Sequence, residues 1–294
     1  MKKLKEKIFR CKKLFLKLFL FFLLSSFFYL SILFFFSWFE NRNYPAVIFF
    51  DVGQGDSILL RNIEGKNILI DGGPDNLVIK KLGKYLPFFS RHLDIIILSH
   101  CHDDHVVGLI EVIRRYHVDH IILGKDLATG LNQKIFLAQV EKNKIKNINE
   151  AEILFLEDLL EIDFSSTCHL SILNPQVLEV KENENNSLIA KLDCAELKFL
   201  FSGDSEAEIE DKLLKYTFDL SSDIFKAGHH GSKTSNTPDF LKAIGANYFV
   251  ISSGKDNRFG HPAREVISRV LDMGMTIKRT DTQGDIVFPL NLAH

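Results

Sequence analysis

Charge is absent from one stretch of this chain and unbalanced in another. Between Lys17 and Glu40 there is no Asp, Glu, Lys or Arg. Excess positive charge is lacking beyond that stretch. Residues 41–294 carry 28 basic against 36 acidic side chains, a net charge of −8. A domain of that sign has no broad basic face to track a nucleic-acid backbone, so any phosphate must be recognised locally. Cysteine is scarce, with four in 294 residues. That excludes a disulfide-dense scaffold. Cys11 falls in the basic leader, and Cys101, Cys168 and Cys194 form no even set, so no disulfide framework is expected. The glycine-rich run Asp51-Val52-Gly53-Gln54-Gly55-Asp56-Ser57 lacks the length and Lys of a phosphate loop. It reads as a tight turn without an assigned function.

The uncharged stretch is almost wholly Leu, Phe, Ile, Tyr and Trp from Leu18 to Phe39. About 20 apolar residues span a bilayer as a helix. An uncleaved anchor is favoured over the alternative, a cleaved secretory signal, because the run is longer than about 7–15 residues and no small-residue cleavage site follows. The lysine-rich flank precedes the span, so the N-terminus is expected to stay cytoplasmic. The chain therefore divides into a basic cytoplasmic segment (1–17), a transmembrane anchor (18–39), a linker (40–45) and an extracytoplasmic domain (46–289). The expected location is the cell membrane, single-pass.

In the domain, short apolar runs alternate with turn chemistry and amphipathic segments. Strands are expected near 47–50, 57–61, 67–70, 95–99, 121–123, 153–155, 171–173, 187–192, 198–201, 223–227, 248–252, 276–278 and 286–288. Helices are expected near 76–89, 106–116, 133–142, 206–215, 238–244 and 264–273. Residues 180–186 and the Lys/Asn-rich stretch up to 149 read as exposed. Many short strands with interspersed helices imply two sheets with helices on their outer faces.

Chemistry concentrates where apolar strands end. Asp94-Ile-Ile-Ile-Leu-Ser runs into His100-Cys101-His102-Asp103-Asp104-His105, placing four candidate ligands (His100, His102, Asp104, His105) within six residues. Ionised carboxylates are rarely buried unless paired or coordinating. In extended backbone His100 and His102 point the same way, and Asp104 with His105 turns toward a second point, as a two-metal site needs. Cys101 points away and is expected to pack. Ile68-Leu-Ile-Asp71-Gly-Gly offers Asp71 as the acceptor that fixes the tautomer of a ligating imidazole. Phe199-Leu-Phe-Ser-Gly-Asp204 offers a carboxylate able to bridge two cations, or alternatively a helix N-cap.

Lys226-Ala-Gly-His229-His230-Gly-Ser offers one imidazole for metal and one for substrate, with Ser232, Lys233 and Ser235 as phosphate donors. Which imidazole does which is open. His261, before Pro262, is a phosphate contact or proton donor, with Arg258 as a charge clamp. His92, His117, His120, His169 and His294 have no comparable frame and read as structural or surface residues.

These residues, in this order, resemble the metallo-β-lactamase superfamily: ILIDGG, HxHxDH and FLFSGD. DVGQGDS, NNSLIAKL, KAGHHGS, the 251–262 run and TDTQGDI are similar to its ComEC-like branch, the extracytoplasmic domain of DNA-uptake proteins and its stand-alone relatives. The resemblance spans about residues 46–289. It implies an α+β fold, an αββα sandwich, preceded here by one transmembrane helix. It implies two divalent ions, Zn or Mn, held by His100, His102, Asp104, His105, a bridging Asp204 and His229 or His230. The ligand His that many superfamily members carry before the bridging Asp is replaced by Asn185-Asn186-Ser187.

The expected activity is metal-dependent hydrolysis of a phosphodiester by a two-metal-activated water. Asp104 or Asp204 steers the water's proton, and His261 or the free member of the His pair assists the leaving oxygen. The expected substrate is single-stranded DNA or an envelope phosphoester. The alternatives are a phosphocholine or teichoic-acid esterase and a non-catalytic scaffold partnering a DNA-uptake channel protein.

Overall fold

The computed structural model describes residues 2–41, 44–87, 89–124, 130–145, 151–178, 187–194 and 196–292. The chain separates into two compact units, Met1–Asn43 and Tyr44–His294. The loop expected at 180–186, Asn185-Asn186, His294 and part of the linker lie outside the described residues, as does the end of the Lys/Asn-rich stretch.

The first unit is one helix, α1 (Lys2–Asn41). The basic segment and the apolar run are therefore continuous helix. Its apolar window, Lys12–Phe34, covers 23 residues at a mean hydropathy of 2.1. At 1.5 Å per residue that is about 35 Å, enough for the roughly 30 Å hydrocarbon core of a bilayer. The window begins before the expected 18–39 run and overlaps it over 18–34. Three serines sit in this apolar surface. The hydroxyls of Ser25, Ser26 and Ser31 donate to the carbonyls of Phe22, Leu23 and Phe27 at 3.0, 3.2 and 2.8 Å. Each donor is satisfied inside the helix by the carbonyl three or four residues earlier.

The second unit is two seven-stranded sheets. The first half of the chain supplies β1 (Ala46–Phe49), β2 (Ile58–Ile63), β3 (Lys66–Ile70), α2 (Leu77–Tyr85), β4 (His92–Leu98), α3 (Asp103–Arg115), β5 (His117–Gly124), α4 (Leu131–Ile145) and β6 (Glu152–Leu156). The second half supplies β7 (Leu159–Ser165), β8 (Cys168–Leu173), β9 (Ile189–Cys194), β10 (Leu197–Phe201), α5 (Ala207–Leu213), β11 (Ile224–Lys226) and α6 (Pro238–Ile244). It continues with β12 (Tyr248–Ile251), α7 (Arg264–Asp272), β13 (Thr276–Arg279), α8 (Thr280–Gln283) and β14 (Ile286–Pro289).

The sheet orders are β14-β1-β2-β3-β4-β5-β6 and β13-β12-β11-β10-β9-β8-β7. Each half opens with antiparallel ladders and changes to parallel pairing, at β3–β4 in one sheet and β10–β11 in the other. Helices make the parallel crossovers, as such connections require. β14 returns to pair antiparallel with β1.

Alternation along the strands sorts three cores. Val47, Phe49, Ile58, Ile70, Ile97, Leu170, Leu192, Phe199 and Phe201 fill the space between the sheets. Ile48, Leu69, Ile96, Val106, Leu109 and Phe136 lie beneath the helices of the first sheet. Phe225, Phe240, Leu241, Phe249 and Val266 do the same on the second. This is the αββα sandwich, a mixed α/β two-sheet fold.

Two local features differ from the sequence reading. β7 was not anticipated. Its acid-rich run, Leu159-Leu-Glu-Ile-Asp-Phe-Ser, pairs with β8, and Leu160, Ile162 and Phe164 pack against the inter-sheet core. The absence of a disulfide is also corrected. Cys168 and Cys194, opposite one another in the β8–β9 ladder, are joined in a buried disulfide. Their separation of 26 residues gives no sequence sign of that pairing, which the antiparallel register creates.

Candidate metal centre

Strand ends build the site, at the carboxyl edge of the parallel segments where open α/β sheets place ligands. β3 delivers Asp71, β4 delivers Ser99 and His100, β10 delivers Asp204 and β11 delivers His229 and His230. His102 is the N-cap residue of α3, with extended backbone (φ −68°, ψ 152°), so Asp103, Asp104 and His105 form the helix's first turn. Acids are favoured there by the helix dipole. α3 seats directly on the loop after β3: Gly108 N donates to Gly73 O at 3.0 Å. A Cβ at position 108 would lie 2.0 Å from Gly72 O, so only glycine permits this approach.

Two groups of ligand atoms converge here: His100, His102 and Asp204; and Asp104, His105, Asp204 and His230. Asp204 belongs to both, and its oxygens divide between them. Oδ2 lies 3.7 Å from His100 Nε2, whereas Oδ1 lies 3.4 Å from His105 Nε2 and 3.6 Å from His230 Nε2. Asp204 is not a helix cap, because α5 begins at Ala207 with Glu206 in the capping position. Its backbone N–H instead donates to Ser187 Oγ at 2.8 Å.

Hydrogen bonds hold His105, His100 and His230 by their Nδ1 atoms. Asp71 Oδ2 is 2.8 Å from His105 Nδ1. Ser99 donates to Asp71 through both N (2.8 Å) and Oγ (2.7 Å), and its Oγ lies 3.1 Å from His100 Nδ1. His230 Nδ1 faces the Ser252 carbonyl at 2.9 Å. Each of these contacts commits Nδ1 and turns Nε2 toward the acids. Asp71 (φ 57°), His229 (φ 46°) and His230 (φ 53°) all adopt left-handed backbone, a strain that folded surroundings sustain at functional sites.

The donor set fits a metal pair. His100 Nε2, His105 Nε2 and Asp204 Oδ1 are buried and have no hydrogen-bond partner among the described residues. Buried polar atoms left unsatisfied are costly unless something coordinates them. Imidazole and carboxylate without thiolate suit Zn, Mn or Fe.

Titration follows the same geometry. Burial pushes His230 down, but the Asp204 and Asp56 charges outweigh it and raise the imidazole to about 9. His105 is likewise carried well above its ordinary value by Asp204 and Asp71 against burial. His100 falls well below its ordinary value through burial and the neighbouring His105. Burial raises Asp104, but the hydrogen bond from His230 and the charges of His105 and His230 hold it low.

Two contributors were not assigned from the sequence. Lys226, buried in β11, donates to Gly203 O at 2.9 Å and pairs with Asp56 of the glycine-rich turn. Asp56 Oδ1 is also 3.5 Å from His230 Nδ1. Burial raises Asp56, but Lys226, His230 and His105 pull it down to about 2. The legible signal was a lysine inside an apolar strand, which needs a buried carboxylate. Asp56, Asp71 and His105 also cluster. The Lys226 ammonium already compensates Asp56, and Asp71 engages His105 Nδ1, so that cluster supports the site from behind.

The remaining expected residues lie around the rim. His229 is outside both ligand groups: its Nε2 is 3.8 Å from Asp204 Oδ2 and its Nδ1 is 3.2 Å from Glu206 Oε1. The two left-handed residues diverge, with ring centroids 6.1 Å apart. His261 lies 5.4 Å, ring to ring, from His229. Burial and the neighbouring His230 and His229 lower it to about 4, so it is neutral at pH 7. Arg258 and Lys233 are exposed. Ser235 is not available as a phosphate donor, because its hydroxyl is spent on the Ser205 carbonyl at 2.8 Å. Cys101 packs against the helix-side core.

Residues 50–167 match the metallo-beta-lactamase superfamily. The chain carries a metallo-β-lactamase domain. This domain is similar to ComEC-like competence proteins. It is 30% identical over 253 residues to competence protein ComA of Neisseria gonorrhoeae, covering 84% of this chain and 33% of that protein. It is 26% identical over 261 residues to ComE operon protein 3 of Bacillus subtilis, covering 81% and 32%. The chain thus spans about a third of the length of these relatives. The metallo-β-lactamase fold protein YhfI of Bacillus subtilis superposes with a TM-score of 0.56 at 12% identity, over 83% of this chain and 99% of that one. Tm1679, described as a metal-dependent hydrolase of the β-lactamase superfamily, gives a TM-score of 0.55 at 15% identity with the same coverage.

Proposed function

We propose that this metallo-β-lactamase domain is a two-metal phosphodiesterase, held at the outer face of the cell membrane by α1 and acting on single-stranded DNA. The observation that carries this reading is the division of the Asp204 oxygens between two sets of unpartnered nitrogens. In this reading His100, His102 and Asp204 hold one ion, and Asp104, His105, His230 and Asp204 hold the other. Bound there, divalent ions would supply Lewis acidity and would lower the pKa of a water from 15.7 to about 7.

The chain's own residues do the rest. Asp71 and Ser99 fix the tautomers of His105 and His100, and the Ser252 carbonyl fixes His230. Glu206 orients His229 toward a phosphoryl oxygen at the rim. His261, neutral at pH 7, offers its ring N–H as a hydrogen-bond donor to a phosphoryl oxygen.

The competence-protein relatives support a DNA-uptake setting with a channel partner. The buried Cys168–Cys194 disulfide supports an oxidising compartment, hence an extracytoplasmic domain. The net charge of −8 over residues 41–294 favours a second reading, an envelope phosphocholine or teichoic-acid esterase with a small or polymer-end substrate.

The full chain in detergent, loaded with Mn²⁺ or Zn²⁺, is assayed on bis-p-nitrophenyl phosphate, single-stranded and duplex DNA, and a phosphocholine ester. Cleavage of single-stranded DNA, abolished in Asp204→Asn, is the expected result. Cleavage of the phosphocholine ester alone selects the second reading. No cleavage with metal bound leaves a scaffold and overturns both.

A further inference from the structure

A second cluster of metal-binding character lies at the opposite end of the first sheet. His92 opens β4 and His117 opens β5, and the two are register partners across that parallel pair. Asp119 follows two residues after His117, on the same side of the strand. His92 Nε2 and His117 Nε2 both face Asp119 Oδ1, at 3.0 and 3.4 Å. The two imidazoles stand nearly parallel, with centroids 5.5 Å apart and planes 21° apart. Each residue offers one ligand atom, and all three atoms lie within 4.8 Å of one another.

From these contacts we propose that His92, His117 and Asp119 form a separate binding site for one divalent transition ion such as Zn²⁺. Zinc held at about 2.0–2.1 Å by tetrahedral ligands sets those ligands roughly 3.3 Å apart. The two observed edges bracket that length. A single hydrogen bond would satisfy Asp119 with one imidazole, yet two nitrogens from different strands are aimed at the same oxygen. Two imidazoles and one carboxylate suit Zn, Ni or Cu, whereas Ca²⁺ and Mg²⁺ want an oxygen shell.

The neighbouring cation does not fill the place, because Lys66 is engaged with Asp94 at 2.9 Å. The three side chains are between about a third and a half exposed, at 43, 52 and 36%, so an ion from solvent reaches them. This site is distinct from the centre at the other end of β4. His92 and His100 are eight residues apart along one strand direction, about 26 Å at 3.3 Å per residue. An ion here ties the start of β5 to the start of β4, the strand whose far end leads into His100.

The test uses the full chain in detergent and the double variant His92→Asn/His117→Asn. Equilibrium dialysis against Zn²⁺, followed by elemental analysis, is expected to give one zinc fewer per chain in the variant. Thermal melts in EDTA are expected to coincide, and added Zn²⁺ is expected to raise the wild-type midpoint above that of the variant. Ca²⁺ is expected to produce no such difference. Equal zinc per chain in the two proteins overturns the site. A melting difference already present in EDTA and unchanged by Zn²⁺ overturns it as well, because the residues then act by packing alone.

Discussion

The Lys226 ammonium and the Asp56 carboxylate form an ion pair sealed beneath the candidate metal centre, each side chain no more than 2% exposed. The pair joins β11 of the second sheet to the glycine-rich turn of the first, directly behind Asp204. Removing one member strands the other as a buried charge, at a cost of about 3–5 kcal/mol. Lys226→Met is therefore expected to lose about that much stability in a denaturant melt, and Lys226→Met/Asp56→Asn to recover part of it. Additive losses would show that the two charges are not coupled.

Asp71 fixes His105 from outside the ligand groups. Loss of such a partner lowers metal affinity by about 10–100-fold. Asp71→Asn is expected to show that loss in a chelator competition with zinc, with the fold retained by circular dichroism.

Metal stoichiometry should fall stepwise. His102→Ala empties one group and leaves Asp104, His105, Asp204 and His230, so one equivalent is expected to be lost from the centre. Asp204→Asn weakens both groups. Because His230 is raised to about 9 and His105 is also raised, binding at their group displaces protons. Zinc affinity is therefore expected to rise with pH between about 6 and 9, and dialysis at several pH values measures it. A flat profile would contradict the raised imidazoles.

Asp285 accepts from Lys81 at 2.5 Å, Lys84 at 2.8 Å, the Tyr85 hydroxyl at 3.0 Å and Asp51 N at 3.0 Å. Burial opposes its ionisation, but these donors and the Lys81 charge hold its pKa below the ordinary value. A depressed carboxylate contributes stability above its unfolded pKa of about 3.9, lost as pH falls through the folded value. Asp285→Asn is expected to be about 1–3 kcal/mol less stable at pH 7. That difference should shrink below about pH 4, as urea melts across pH would show.

The Cys168–Cys194 bridge closes a loop across 26 residues. Loop-closure entropy assigns it about 3.5 kcal/mol. Cys168→Ala/Cys194→Ala is expected to lose about that much, and in the unsubstituted chain mass analysis after alkylation without reductant should find Cys168 and Cys194 unalkylated.

Local pattern made much of this readable. The short continuous apolar runs leading into Asp71, His100 and Asp204 announced both the strands and the edge at which they stop. The 22 uncharged residues from 18 to 39 announced the long apolar helix. Three features were hidden. β7 was hidden by its acids, since its exposed face outweighs Leu160, Ile162 and Phe164 in a linear reading. The cysteine pairing depends on the β8–β9 register. The choice between His229 and His230 depends on two consecutive left-handed residues whose rings diverge.

The amino-acid order alone therefore determined the apolar helix, the two-sheet plan and the kinds of atom gathered at the strand ends, because each follows from short-range periodicity. Only the folded chain decided which oxygen of Asp204 faces which imidazole, that Lys226 neutralises Asp56, and that His92 meets His117. Those relations join residues from separate strands, and their distances are set by sheet register and packing.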